Sequence, residues 1–383
     1  MRPASARAQI ANFLAMEMAR DADIREAAGH RVVHLHAGQP STGAPKKAIE
    51  AVKTALSADA LGYTEAKGSR VLREAISRHY AETYGVDVSA NRIVITTGAS
   101  GAFTLAFLAL FDTGDRIAMC APGYPPYRHI LTALGMKPAI IEATGNDRMQ
   151  LQAHRLDELA HEAPIHGVLA ASPANPAGAM LTEEELRALS AAAHKHKAPL
   201  ISDEIYHGMT YERPATTALS IDPDAIVINS FSKYWSMTGW RIGWIVAPDH
   251  LVGAVERLTQ NLTICPPHIS QVAALAALGA RDECEERMQV YATNRRLILD
   301  ALPGMKLPLV APPDGAFYVL ADISAHGDDS LAFAQRALQE AGVAVTPGVD
   351  FDERRGKKWI RIAYARATGE IEEGLERLAR FLA

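Results

Sequence analysis

The sequence predicts an α/β fold: a large domain with a mostly parallel, seven-stranded sheet covered by helices, plus a smaller α/β domain. Three observations carry this expectation. Seven short apolar runs alternate with segments of helical period, the pattern of strands buried on both faces and joined by right-handed crossovers. Five of those runs end in polar or glycine-containing turns, where ligands of such a sheet collect. Near the C-terminus the strand–helix alternation recurs on a smaller scale. We expect residues 1–45 to form an arm and part of the small domain, 46–290 the large domain, and 291–383 the rest of the small one.

Taken in order, residues 1–30 read as an arm and a short helix, with Ile10, Phe13, Leu14 and Met18 about one turn apart. An extended run, Val32 to His36, leads to the turn Ala37-Gly38-Gln39-Pro40, where glycine lets backbone approach a ligand. Pro45 opens a helix reaching about Leu56, as proline favours a first turn. Leu72, Ile76 and Tyr80 share one face of the next helix. Strands follow at Arg92–Thr96, Arg116–Cys120, Pro138–Ile141, Gly167–Ala171, Pro199–Ser202, Ala225–Asn229 and Ile242–Val246. Helical patterns lie between several of them, at Ser100–Phe111, Pro126–Leu134 and Glu183–His196. Beyond Gly253 the chain reads as helical, broken at Pro266-Pro267, with one or two long helices over Gln271–Leu302. The smaller unit comprises strand Phe317–Ala321, helix Ser330–Glu340, strands Val343–Thr346 and Trp359–Ala363, and a C-terminal helix carrying Ile371, Leu375, Leu378 and Leu382 on one face.

Composition narrows the function. The 383 residues are 48% hydrophobic and 22% charged with net charge −5, an ordinary globular balance. No long run of one sign occurs, so neither nucleic acid nor an anionic membrane is an implied partner. Arg2, Arg7, Glu17, Arg20, Asp21 and Asp23 break up the first thirty residues, which excludes a signal peptide. No stretch approaches eighteen uncharged apolar residues, so no ordinary membrane-spanning helix is expected. Cys120, Cys265 and Cys284 have neither disulfide nor zinc spacing, which favours a reducing cytoplasm. His34 with His36, and His194 with His196, each lack a third ligand, and no metal is expected. Phosphate-loop, dinucleotide-fingerprint and nucleophile-elbow motifs are absent from the sequence.

The chemistry points to Ser230–Trp244, which follows the apolar run Ala225–Asn229. Lys233 sits just past that strand, and a lysine in a partly dry cleft deprotonates easily and forms a Schiff base with an aldehyde. Ser230, Ser232 and Arg241 supply the hydroxyls and cationic fork a phosphate needs. An aldehyde with a phosphate suggests pyridoxal 5'-phosphate. Here the chain resembles the class I/II pyridoxal-phosphate-dependent aminotransferases (fold type I, aspartate aminotransferase-like). Their lysine signature, Ser-x-Ser-Lys-x-x-x-Met-x-Gly-x-Arg-x-Gly, is matched from Ser230 to Gly243, and the likeness extends from about His30 to the C-terminus.

What the resemblance implies can be set residue by residue. Lys233 is the amine, and Asp203, in Asp-Glu-x-Tyr thirty residues earlier, is the acid facing the pyridine nitrogen. Read from its surroundings alone, Asp203 is equally a helix-capping aspartate. Tyr206 and Asn175 match the residues that bond the ring's phenolic oxygen, and Tyr124, in Pro-Gly-Tyr-Pro, the aromatic plate. Gly98, Ala99 and Ser100 open a helix after a strand and, with Ser230, Ser232 and Arg241, form the phosphate cradle. Tyr63 resembles the tyrosine that reaches the neighbouring subunit's phosphate, which implies a homodimer. Arg361 matches the arginine for the substrate's α-carboxylate, helped by Asn175 and the Gly38 backbone. Pro313–Tyr318 and Thr346–Gly348 resemble cleft-lining segments.

The expected activity is ping-pong transamination between amino acids and 2-oxo acids through a Lys233 Schiff base. Two alternatives share the fold. One is a pyridoxal-phosphate lyase working by β-elimination. The other is a cofactor-binding transcriptional regulator, which would carry a winged helix before the catalytic region, where this sequence leaves no room. The side-chain preference stays open between aromatic or apolar and aspartate-type. Thr263–Pro267 supplies no arginine for a second carboxylate, while Phe13 to Met18 offers apolar lining.

Overall fold

A computed structural model of the chain describes residues 3–58 and 60–383. The arm leads into α1 (Leu14–Ala27) and a two-residue strand, β1 (Val33–His34), before α2 (Lys46–Ala58) and α3 (Arg70–Tyr84). Strand–helix alternation then runs through β2 (Ile93–Thr96), α4 (Gly98–Leu110), β3 (Arg116–Ala121), α5 (Pro125–Leu134), β4 (Lys137–Glu142), α6 (Ala153–Glu162), β5 (Gly167–Ala171), α7 (Glu183–Lys195), β6 (Leu200–Asp203), β7 (Ile226–Ser230) and β8 (Gly243–Val246). The expected strand positions and the observed ones differ by at most one residue at each end.

These seven strands form one sheet in the order β2-β8-β7-β6-β5-β3-β4. All are parallel except β8, which runs against β2 and β7, pairing Ile95 with Trp244 and Asn229 with Trp244. Its reversal matters for the site: the start of β8 lies on the same edge as the ends of its neighbours. The mostly parallel α/β architecture read from the sequence is therefore the one observed.

Why the strands lack polar alternation is visible in the two cores. Ile93, Ile95, Val168, Leu200, Val227 and Trp244 face one cluster, together with side chains of α3, α7 and the later helix α9 (His268–Leu278). Their neighbours Val94, Leu169, Ile201, Ile226 and Ile245 face the other, under α4 and α5. Each fully buried branched side chain contributes about 1.5–3 kcal/mol, so both faces demand apolar residues.

Helix α8 (Asp249–Leu262) precedes α9, and the break at Pro266-Pro267 separates them as expected. The stretch expected as one or two helices is two, α9 and α10 (Arg281–Ala301). The small unit adds β9 (Tyr318–Asp322), α11 (Ser330–Arg336), β10 (Val343–Ala344), β11 (Thr346–Pro347), β12 (Trp359–Ala363) and α12 (Thr368–Leu382). Two details differ from the sequence reading. The helix expected to Glu340 widens after Arg336 into a π-type turn, closed by Gly342 at φ +67°. The single strand expected over 343–346 is divided: Val343–Ala344 pairs in parallel with β1, whereas Thr346–Pro347 pairs antiparallel with β12. Val345 turns the chain from one sheet to the other, and Pro347, lacking an N–H, ends the pairing. Residues of the arm, including Met18, Val33 and Leu35, share a core with α12 and the β9–β12 sheet. Among the described residues, no helix is long and apolar enough to cross a membrane.

Candidate active site

The ends of the parallel strands and the start of β8 converge on one cavity of about 680 Å³. Lys233 reaches it from the loop after β7. Its Nζ donates to the Gly38 carbonyl at 2.5 Å, and what remains exposed of the side chain opens into the cavity. Burial pushes its pKa down from 10.5 to about 7, with Arg361 and Arg241 adding to the fall and Asp203 opposing it. Below pH 7 the amine carries a proton; above it the amine is free. In cofactor-free protein, acylation of Lys233 by a small amine-selective reagent should therefore have a midpoint near pH 7. Surface lysines should lag to about 10.4. Mass spectrometry of the labelled peptides reads both, and a Lys233 midpoint near 10 would overturn the dry environment argued here.

Asp203 ends β6 and is 4% exposed. One carboxylate oxygen accepts the Ile205 N–H at 3.0 Å, and the other accepts the hydroxyl of Tyr127. Burial raises its pKa to about 6 despite both hydrogen bonds, leaving it ionised at neutral pH. Its neighbour Glu204 turns away from the cavity, accepting from Ser202, Thr217 and the Ala218 N–H. Of the Asp-Glu-x-Tyr motif, Asp203, Ile205 and Tyr206 line the cavity and Glu204 does not. Tyr206 does so with its hydroxyl 2.8 Å from that of Tyr318.

Arg361, in the middle of β12, is 1% exposed and faces the cavity. Its Nη1 donates to Asn175 Oδ1 at 2.9 Å, and Nη2 to the His36 carbonyl at 2.7 Å and Thr346 Oγ1 at 3.2 Å. The guanidinium carbon lies 4.4 Å from the Tyr318 ring centre and 4.9 Å from that of Phe351. The Nε–H has no protein acceptor. A fork fixed in this way, with N–H groups left open, is built for a planar carboxylate.

Across the cavity, β2 passes into α4 through Gly98, whose φ of +74° suits glycine. A Cβ there would meet Arg241 Nη2 at 2.5 Å, and one on Gly243 would meet Gly98 and Ala99 backbone at 3.1–3.2 Å. Small residues thus let Arg241 and the first turn of α4 crowd together, with helix N–H groups and a guanidinium facing the same space. Ala99, Ser100, Ser232 and Arg241 line the cavity there. These donors fit a phosphate, while Lys233 and Asp203 fit the two ends of a pyridine aldehyde. Tyr124, at the entry to α5, lines the wall between them.

Of the residues assigned a catalytic, cofactor or substrate role from the sequence, eleven line this cavity: Gly38, Ala99, Ser100, Tyr124, Asn175, Asp203, Tyr206, Ser232, Lys233, Arg241 and Arg361. Gly98 backs Arg241. Ser230 lies a layer deeper, 0% exposed, with its hydroxyl donating to the Ile242 carbonyl and facing Ser232 Oγ at 2.9 Å. It steadies Ser232 rather than facing the cavity. Tyr63 is 82% exposed and lies outside the cavity of its own chain.

Sequence reasoning missed Tyr127 and His36. Tyr127 lies three residues after Tyr124 on the same face of α5, so helical spacing was the available signal; the two rings meet edge-on at 5.2 Å. His36 lines the cavity with its imidazole held neutral, burial lowering its pKa to about 3. No motif marked it.

Residues 30–378 match the model of a family described as aminotransferase class I and II. A protein of Mycobacterium tuberculosis named valine–pyruvate aminotransferase is 46% identical over 98% of this chain and 97% of its own length. The crystal structure of an aminotransferase from Mycobacterium tuberculosis superposes with a TM-score of 0.97 at 45% identity, covering 100% of this chain and 99% of that one. Aspartate aminotransferase from Thermus thermophilus, solved with maleate, gives 0.93 at 31% identity, covering 99% and 100%.

Proposed function

Since the chain belongs to the class I and II aminotransferases, we propose that it uses pyridoxal 5'-phosphate on Lys233 to transaminate amino acids with apolar side chains. One observation carries the reading: Lys233, Asp203 and Arg361 open into a single cavity, one face of which is apolar. Bound there, the cofactor supplies an aldehyde for the lysine and a protonated ring that draws electrons from the substrate's α carbon.

The chain's own residues do the rest. Arg361 takes the α-carboxylate in its fork, oriented by Asn175, Thr346 and the His36 carbonyl. Lys233 Nζ, with a pKa near 7, is poised to take the α-proton and to return it, because a base is most useful when its pKa matches the working pH. Asp203, ionised, holds the positive charge of the ring nitrogen, and Tyr127 fixes the carboxylate. Tyr206 and Asn175 serve the phenolic oxygen, and Tyr124 packs on the ring. Ser100, Ser232, Arg241 and the first amides of α4 hold the phosphate, with Ser230 behind Ser232. Tyr63, exposed outside its own cavity, reaches the partner's phosphate in a homodimer. Three free thiols suit a reducing cytoplasm.

The substrate class follows from the wall and the charges. Phe13, Ala15, Met16, Ala19 and Ile130 form an apolar face. Both cavity guanidiniums, Arg241 and Arg361, are already engaged by phosphate and α-carboxylate, and no third arginine lines the cavity among the described residues. The relative named for valine and pyruvate supports the same class. On mixing the loaded enzyme with single amino acids and no oxo acid, valine, leucine and alanine should bleach its visible absorbance, and aspartate should do so poorly. Fast bleaching by aspartate would overturn the apolar assignment. Absence of any visible band after adding pyridoxal phosphate would overturn the cofactor.

A further inference from the structure

We propose that Asp350 is a positioning residue of the substrate pocket: it docks the first turn of α1 as the wall that selects the substrate's side chain. This rests on the transaminase reading above. The N-cap position of α1 is Phe13, which offers no side-chain oxygen to the helix's orphan amides. Asp350, 336 residues away, supplies it: Oδ1 accepts the Leu14 N–H at 3.1 Å and Oδ2 the Ala15 N–H at 3.0 Å. A carboxylate on the first turn also complements the helix dipole. The docked turn places Phe13, Ala15 and Met16, and one turn later Ala19, in the cavity wall. Phe13 meets Tyr124 edge-on, 5.9 Å between ring centres.

Asp350 belongs to a short segment that contacts three parts of the pocket. Thr346 and Phe351 hold Arg361, as described above. The Asp350 carbonyl accepts Arg128 Nη2 at 2.7 Å, on the helix that begins after Tyr124, and the Phe351 carbonyl accepts the Gly123 N–H at 3.1 Å. Arm helix, carboxylate arginine and aromatic plate are therefore indexed to one another through residues 346–351. Asp350 itself is 2% exposed and does not line the cavity, so its removal leaves the groups around Lys233 in place while freeing the wall.

The test compares Asp350→Ala, Asp350→Asn and Leu14→Pro with a Leu14→Ala control. Proline at the first helical position is compatible with the helix but lacks the N–H that Asp350 accepts; alanine keeps it. In Asp350→Ala we expect KM for valine to rise about tenfold with kcat within about threefold, and the preference for valine over alanine to fall about tenfold. Asp350→Asn and Leu14→Pro should move the same way by a few-fold, and Leu14→Ala should keep wild-type selectivity. Hydrogen exchange at residues 15–19 of α1, with and without cofactor, should quicken in Asp350→Ala and Leu14→Pro but not in Leu14→Ala. Unchanged selectivity and exchange in Asp350→Ala would overturn the proposal; should that variant fail to fold, the same result in Asp350→Asn and Leu14→Pro does so. If the wild type converts no amino acid, the transaminase reading fails, and exchange at residues 15–19 still decides the docking.

Discussion

Replacing Lys233 by alanine is expected to lower kcat by about 10,000-fold or more, while the protein still folds and still takes up cofactor. Two roles vanish together. The amine that meets the aldehyde is gone, and so is the base that carries the α-proton, alone worth about 100- to 10,000-fold. Cofactor uptake survives because Arg241, Ser232, the first turn of α4, Asp203 and Tyr124 are untouched. Stability should rise. Folding costs the wild type an amine whose pKa drops from 10.5 to about 7. Between those values the unfolded chain binds the proton and the folded one does not, so the wild type gains stability as pH climbs through that window. The penalty is full below pH 7 and gone above about 10.5. Lys233→Ala should therefore exceed the wild type in urea unfolding at pH 6.5 by more than at pH 9.5, both measured without cofactor. Substantial turnover by the alanine variant would remove Lys233 from the chemistry. A variant less stable than wild type at pH 6.5 would instead show that the amine is well solvated.

How far the sequence revealed this site depended on how local each constraint is. Lys233, Asn175, Asp203 and Gly98 sit at strand ends, and a strand end is legible because an apolar run stops at a polar turn. Arg361 was legible only through its resemblance to a known motif, since an arginine on a strand has many surface uses. Of its partners, Asn175 was named through the same resemblance and Thr346 only within a cleft-lining segment, while Phe351 and the His36 carbonyl, from segments distant in sequence, could not be read. Ser230 and Ser232 show the limit of a motif. Both belong to the signature, yet strand alternation sends Ser230 behind the wall while the loop brings Ser232 into it. Glu204 is similar, a motif residue spent on Thr217 and Ala218. The division of the strand expected at 343–346 was invisible because no glycine, proline or charge marks the switch at Val345 and only the partner strands differ. Asp350 lay furthest from view. A helix without its own cap signals a missing acceptor, but nothing local says which carboxylate will supply it.

For Arg361→Ala, we expect kcat/KM for valine to fall about 100- to 1,000-fold, mostly through KM, the equivalent of about 2.7–4 kcal/mol of carboxylate binding. The geometry makes the loss specific. The guanidinium is held by three acceptors and packed on two rings, and the neighbouring cation, Lys233, is tied to the Gly38 carbonyl and offers no fork. Arg241 is the only other arginine lining it among the described residues, and it faces Gly98. The variant should also lose about 1–3 kcal/mol of stability, because Asn175 Oδ1 loses its guanidinium donor and the His36 carbonyl keeps only the Thr346 hydroxyl, both in a buried place. Arg361→Lys should recover little, for an ammonium restores the charge without the fork. Activity loss alone would not separate carboxylate binding from a collapsed wall. The decisive comparison uses isobutylamine, which is valine without its carboxylate. The wild type should prefer valine strongly, and Arg361→Ala should erase most of that preference by losing valine reactivity while isobutylamine stays nearly constant. A wall defect would depress both amines together. If the variant still discriminates between them as the wild type does, the α-carboxylate binds elsewhere, and the role of β12 in the site is structural.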